Sequence, residues 1–425
     1  MRAYDLIVKK RDKIELTKEE ITFLVNGYTN GEIKDEQMAA FLMAVIFNDL
    51  TKEETYNLTM AMAHSGEVLD LSEIKGKKVD KHSTGGVGDK LTLVALPIVA
   101  SLGIPVAKMS GAGLGHTGGT VDKLNSLKGY KTEQPFEEFI RLINENKISI
   151  IGQTSEVAPA DKKIYALRDT TATVDNIGLI SASIMSKKIA SGGDAFVFDV
   201  KCGLGAFMKD KVEAKKLAST MIEISKQNNK EAIALITDMN SPLGYAIGNS
   251  LEIKEVLDIL ERKKEVLDIE EISLELAANM AYLADFGSIE VCREAVKDAL
   301  NSKAAYEKFT DMIKMGGGTL TLEEASSKEE IFSSKEGYVT EIHAEKMGIA
   351  AMLLGAGRKS KEDLIDYTAG IVLNKKVGDK VQKGEVLCTL HYNNVNIEDS
   401  VKLIDEAFKF SANKEERILI YERIS

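Results

Sequence analysis

Proline is scarce in this sequence: five among 425 residues argue against long disordered linkers, and a chain that is 44% hydrophobic and 28% charged is expected to fold throughout. Cysteine is scarcer still. Cys202, Cys292 and Cys388 are odd in number, far apart and without CxxC spacing, which excludes a disulfide or zinc framework and reads as buried thiols in a reducing compartment. No apolar run is long enough to cross a bilayer. The opening MRAYDLIVKKRDKIEL carries charges through its first apolar stretch instead of a signal-peptide core, so a cytoplasmic protein is expected. An excess of positive charge is also missing. The formal net charge of −11 at pH 7 gives no footprint for nucleic acid or an anionic membrane, so any anionic ligand has to be held by a local site.

At this length two or three domains are the expectation. Residues 1 to about 65 carry apolar residues at helical spacing, with capping boxes at Thr17 with Glu20 and Thr51 with Glu54. From Lys77 the texture alternates between short β-prone runs and helical ones: KKVDKHS, a helix from Leu91 to Leu102, IPVAKMS, a helix from Pro135, ISIIGQ. Alternation of this kind implies a parallel α/β sheet. Two helical stretches, DKKIYALRD and NIGLISASIMSKKIAS, interrupt it before AFVFDVK, a helix from Val212 to Lys226 and EAIALITDM resume it. Beyond the MGGG break at Met315, and from about Gly337, the chain turns β-rich, and KVGDKVQKGEVLCTL reads as hairpins in a small barrel-like domain. The expected fold is α/β: a small discontinuous helical domain (1–65 and 163–193), a larger α/β domain with a mixed sheet (70–160 and 194–335) and a β-rich C-terminal domain (336–425).

The chemistry concentrates in three stretches. In KHSTGGVGDK, residues 81 to 90, glycines 85, 86 and 88 allow positive φ and close backbone approach, while Lys81, Ser83 and Thr84 supply donors and a helix starts near Asp89. This suits a phosphate; a tight turn whose hydroxyls cap the helix accounts for it as well. MSGAGLGHTGGTVDKL, from Met109, is a second glycine-rich turn bearing Ser110, Thr117 and Thr120. Gly113, Gly115 and Gly118 match GxGxxG, a loose dinucleotide pattern here because a poor helix follows it, and no Walker lysine motif occurs. In the third stretch Tyr165 and Arg168 lie three apart and Ser183 and Lys187 four apart, each pair on one helix face. Guanidinium, hydroxyl and ammonium together suit a planar ligand rich in carbonyl oxygens, and an ordinary solvated face with ion pairs is the alternative. Of five histidines, His64, His343 and His391 lack polar company and His116 reads as orienting its loop. Only His82 has a chemical neighbourhood.

KHSTGGVGDK, SGAGLGHTGGTVDKL, YALRDTTATV and SASIMSKKIA, in this order and spacing, resemble the pyrimidine-nucleoside phosphorylase and thymidine phosphorylase family, over essentially the whole chain. The resemblance implies a homodimer in which a helical domain binds the base, an α/β domain binds phosphate and the cleft between them closes. It assigns phosphate to Lys81, Ser83, Thr92, Ser110 and Thr120, and the nucleoside to Lys108, Leu114, Tyr165, Arg168, Ile180, Ser183 and Lys187. His82 would sit beside the base carbonyl as a candidate acid, with Arg168 and Lys187 stabilising charge on the departing base. Lys108 matches a position at which broad-specificity members differ, and would reach a ribose 2′-hydroxyl. No redox cofactor or catalytic metal is implied.

Two departures stand out. Ala112 and Asn125 replace the arginine and glutamate usual in the family signature, which suggests a lost ion pair. Lys90 stands where several bacterial relatives have a threonine that helps bind potassium together with Gly88, Leu243, Ala246 and Glu255. A Lys90 to Glu255 pair in place of the ion is the expectation. Competing readings are a transferase resembling anthranilate phosphoribosyltransferase, a dinucleotide-dependent oxidoreductase and a non-catalytic nucleoside-binding protein. The first needs acidic residues that KHSTGGVGDK does not supply in that pattern.

Overall fold

The computed structural model describes all residues except 112, 114, 116, 117, 155 and 360–362. Four helices open the chain: α1 (Ala3–Arg11), α2 (Lys18–Thr29), α3 (Asp35–Asn48) and α4 (Lys52–Ala63). Both capping boxes form. Thr17 and Thr51 each accept the backbone N–H three residues on, while Glu20 and Glu54 reach back to the cap N–H. Glu54, fully buried, also accepts from Leu16 N–H and from the Lys10 ammonium at 2.6 Å, tying α1 to the start of α4.

The next segment supplies β1 (Val79–Ser83), α5 (Leu91–Ser101), β2 (Val106–Ser110), α6 (Thr120–Asn125), α7 (Phe136–Asn146) and β3 (Ile148–Gly152). After it come α8 (Pro159–Thr170) and α9 (Ile177–Ala190), which pack on the opening helices around Leu24, Phe41, Leu42, Leu58, Ile164 and Leu179. The chain then returns as β4 (Ala195–Cys202), α10 (Lys211–Gln227) and β5 (Glu231–Asp238). β1, β4 and β5 run parallel, with Lys81 beside Val197 beside Ile233 and Ser83 beside Asp199 beside Leu235. β2 and β3 form a parallel pair next to β1.

Further helices follow the short β6 (Ala246–Ile247): α11 (Asn249–Leu260), α12 (Leu267–Leu283), α13 (Ile289–Asn301) and α14 (Ala304–Met315). Side chains alternate across a strand, so the main sheet has two buried faces. Val79, Val197, Ile233 and Leu235 pack under α5 and α12, while Phe196, Phe198, Val200, Ala234 and Ile236 pack under α9 and α10. No helix among the described residues is long and apolar enough to cross a membrane.

The last segment holds β7 (Ser327–Phe332), β8 (Gly337–Ile342), α15 (Ala344–Ala351) running into a π turn over Met352–Ala356, β9 (Gly370–Leu373), β10 (Lys380–Val381), β11 (Val386–Tyr392), α16 (Glu398–Ala407), β12 (Phe408–Ser411) and β13 (Ile420–Ile424). It is β-rich, but KVGDKVQKGEVLCTL does not fold back on itself as hairpins. β10 pairs with β8, whereas β11 pairs with β7 and β9 in another sheet. The turns at Gly378 and Gly384, with φ of 94° and 88°, pass the chain between the two sheets. Strand pairing also crosses the expected boundary at residue 335. β7 precedes it, β6 pairs with β9, and β13 leaves the C-terminal part altogether to run antiparallel to β5, which makes the main sheet mixed. Arg417 fixes that return: it binds the Asp238 carboxylate, reaches Asp268 at 3.2 Å and donates to Ser241 O at 2.8 Å, while Tyr421 donates to Asp238 at 2.7 Å.

Candidate active site

The alternation of β1 divides the site. Lys81 and Ser83 point to the α5 side of the sheet, and Asp80 and His82 to the α9 side.

On the α5 side the fully buried Lys81 ammonium lies 3.3 Å from Thr92 Oγ1, in the first turn of α5, and 3.2 Å from Asp199 Oδ2. Lys201 meets the same carboxylate at 2.8 Å, and Thr237 donates to its other oxygen at 2.6 Å. In the turn beyond, Gly85 and Gly88 adopt φ of 92° and 70°. Gly86 does not; it matters because Met239 fills the space a Cβ would need. The Ser83 hydroxyl donates to Asp89 at 2.6 Å and accepts Gly85 N–H at 3.2 Å, so it turns to a ligand only by exchanging a partner. Burial pushes the Asp89 carboxyl up, but Lys81, Lys201, the Ser83 hydroxyl and Lys123 outweigh it and hold the group well below the usual carboxylate range. Lys123, in α6, links the two glycine turns by donating to Gly118 O at 2.9 Å and Asp89 O at 3.1 Å, and it lies 3.4 Å from Glu252. Ser110 at the end of β2 and Thr120 at the start of α6 are half-buried at the rim of the second turn.

Sequence reasoning passes over Lys123 and Lys201. The signal for Lys201 was present: AFVFDVKC is otherwise apolar, and a lysine two residues after an aspartate in a buried strand places both charges on one face.

On the α9 side Asp80 accepts from Lys188 at 2.6 Å and from Lys108 at 3.1 Å, and Lys108 also donates to Lys81 O. Lys108 is therefore turned inward, 4% exposed, rather than held out toward a ribose hydroxyl. Burial lowers its pKa to about 7 despite the support of Asp80. His82 is half-buried with no hydrogen bond to its imidazole among the described residues. Burial, then Lys188, Lys108, Lys187 and Lys81, keep it well below the ordinary imidazole value, hence neutral at pH 7. The imidazole thus lies in the field of lysines from both halves of the site.

Ile180, Ser183 and Lys187 share a face of α9, where the Lys187 ammonium binds Ser183 Oγ at 3.0 Å and the buried Asp161 carboxylate of α8. Asp161, which sequence reasoning also missed, lies four residues before Tyr165 on the same helix. Arg168 is 5.8 Å from the Tyr165 ring. Its guanidinium donates to Thr173 O, Leu179 O and Val174 O at 3.1, 3.1 and 2.7 Å, so three of its five N–H groups close the turn between α8 and α9. Leu114, Ala112 and His116 lie outside the described residues. Asn125 accepts from Thr132 Oγ1 at 2.8 Å. The second glycine turn is instead tied by an ion pair between Asp122 and Arg358 at 2.9 Å.

Three of the four positions that the resemblance gives to potassium meet an ammonium instead, and the fourth, Gly88, accepts the Lys90 backbone N–H at 2.9 Å. Lys90 Nζ donates to Glu255 at 2.6 Å, Ala246 O at 2.8 Å and Leu243 O at 3.2 Å, with no exposure to solvent.

Three family models match this chain: the helical bundle domain of a glycosyl transferase family over residues 4–66, the a/b domain of the same family over 75–306, and the pyrimidine nucleoside phosphorylase C-terminal domain over 338–411. The pyrimidine-nucleoside phosphorylase of Geobacillus stearothermophilus is 51% identical over 434 aligned positions, and that of Staphylococcus haemolyticus 49% over 433, each covering 100% of both chains. Among solved structures, anthranilate phosphoribosyltransferase from Thermus thermophilus matches with a TM-score of 0.61 at 17% identity, over 74% of this chain and 99% of that one, a likeness of fold.

Proposed function

The chain belongs to the pyrimidine-nucleoside phosphorylase family, and we propose that it catalyses reversible phosphorolysis of uridine, thymidine and deoxyuridine to the free base and (deoxy)ribose 1-phosphate. The observation that carries this reading is the division made by β1: donors for an anion gather on its α5 side and at the turn beyond it, while His82, Ser183 and Lys187 gather on its α9 side.

In the proposed reaction a phosphate oxygen bonds to C1′ as the bond from C1′ to the base nitrogen breaks. The electron pair leaves with the pyrimidine, and the sugar passes through a cation-like state. Phosphate sits over Lys81, Ser83, Thr92, Ser110 and Thr120. Negative charge spreading onto the base carbonyl is met by Lys187, by the uncommitted N–H groups of Arg168 and by neutral His82, which donates a hydrogen bond without first having to carry charge. Tyr165, Ile180 and Ser183 flank the ring. Closing the cleft excludes water, so that phosphate rather than hydroxide attacks. Lys108 acts through Asp80 and the Lys81 carbonyl, which fixes β1 between the two halves.

The enzyme works as a homodimer in the cytoplasm; three buried free thiols suit a reducing compartment. Crystals soaked with sulfate and uracil test the arrangement. Sulfate is expected against Lys81 and the first glycine turn, and uracil against Ser183 and Lys187; either ligand elsewhere contradicts it.

A further inference from the structure

The Lys90 ammonium has three N–H donors and three acceptors: one carboxylate oxygen of Glu255 and the carbonyls of Leu243 and Ala246. The two carbonyls come from the segment that leads from β5 into α11 and the carboxylate from α11 itself, whereas Lys90 ends the glycine turn after β1. The two segments are already in contact one step earlier, where Leu243 N–H donates to Val87 O at 3.1 Å. We propose that Lys90 is a built-in monovalent cation, a permanent part of the chain that clasps the phosphate turn to the 243–246 segment and makes the protein indifferent to potassium.

Three observations support this. First, the packing is made for an ammonium. Gly244, with φ of 66°, lies so close to Glu255 Oε2 and Lys90 Nζ that a Cβ there would overlap the pair, and Gly88, with φ of 70°, lies equally close to Leu243 O. Second, the carboxylate is already partnered. Glu255 accepts Tyr245 and Ala246 N–H as well as Lys90, and lies 3.6 Å from the Lys264 ammonium, so this carboxylate already faces two cations and an added ion would bring buried, uncompensated charge. Burial lowers the Lys90 pKa, but Glu255 and Glu252 outweigh it and leave the group above its ordinary value and charged. Third, the clasp is continued by protein. Lys376 donates to Gly244 O and pairs with Asp268 at 2.7 Å, and Arg417 reaches the same Asp268 oxygen at 3.2 Å, so the C-terminal segment holds the far side of the turn.

The test uses the full chain in potassium, sodium and choline chloride at one ionic strength. The unaltered protein should give the same Tm and the same KM for phosphate in all three salts, and crystals soaked in rubidium should show no anomalous peak at Lys90. Lys90→Thr vacates the ammonium position. It should melt lower in choline, regain Tm in potassium and bind rubidium among the Leu243, Ala246 and Glu255 oxygens. A Tm or phosphate KM of the unaltered protein that rises or falls with potassium, rubidium bound beside Lys90, or a Lys90→Thr variant unaffected by any of the salts overturns the proposal. Should that variant not fold, the salt series on the unaltered protein decides. The KM reading alone rests on the proposed reaction; Tm and rubidium report on the clasp whatever the reaction is.

Discussion

Lys81 and Asp199 face each other across 3.2 Å from neighbouring parallel strands, neither side chain exposed to solvent. Around them Lys81, Lys201 and Lys123 share the carboxylates of Asp199, Asp89 and Glu252, so the buried charge beneath the glycine turn after β1 is balanced within the chain.

Removing one carboxylate upsets that balance. Asp199→Asn leaves ammonium charge without a partner and should cost about 3 to 5 kcal/mol of stability. Phosphate supplies the missing negative charge, so it should raise the Tm of this variant by more than it raises that of the parent. Thermal scans with and without phosphate check this, and an equal or smaller rise contradicts it.

In the proposed reaction Lys187 stabilises negative charge on the departing base. Lys187→Ala should lower kcat by about 10²- to 10³-fold, the loss usual when one donor to a developing oxyanion is removed. The phosphate-induced Tm rise should stay that of the parent, because Lys187 lies on the other side of β1. Asp161→Asn, which loosens the Lys187 ammonium without removing it, should fall between the two in kcat.

His82 gives a pH dependence of known sign. Its folded-state pKa lies below the 6.5 of an ordinary imidazole, so the unfolded chain takes up the proton first as pH falls. The contribution of His82 to stability is complete above pH 6.5 and is lost progressively below it. A histidine-resolved NMR titration should place its midpoint below 6.5, and Lys108→Met, which removes a neighbouring positive charge, should move that midpoint up. A midpoint that stays where it was in Lys108→Met contradicts the assigned field.

Arg417 should matter far from the reaction. Arg417→Ala strips Asp238 and Asp268 of a buried partner and loosens the seat of β13 on β5, so Tm should fall with an energetic cost of about 3 kcal/mol or more. Urea unfolding measures it.

Much of this was legible in the sequence because local rules acted without competition. The capping boxes at Thr17 and Thr51 form as their spacing requires, β1, β2, β3, β4 and β5 fall where short β-prone runs alternate with helical ones, and Ser183 meets Lys187 one helical turn later. The Lys90 to Glu255 contact was also foreseen, from a residue that departs from its family's pattern. Long-range partners were not legible. Nothing in YERIS announces that the end of the chain pairs with β5, and the two-residue β10 is too short to declare which sheet it joins. Arg168 has the sequence signature of a ligand-facing residue, yet the free carbonyls of the turn after α8 claim most of its donors. Lys108 is drawn inward by Asp80 and the Lys81 carbonyl, neither close to it in sequence.

The central claim is that phosphate held at the glycine turn that follows β1 attacks a nucleoside held against α8 and α9 beside it. Its most direct test is release of uracil from uridine by the purified protein, followed with and without inorganic phosphate. The account predicts uracil and ribose 1-phosphate in equal amounts only when phosphate is present, and loss of that release in Lys81→Met. Uracil appearing at the same rate without phosphate, or no uracil under either condition, would contradict it.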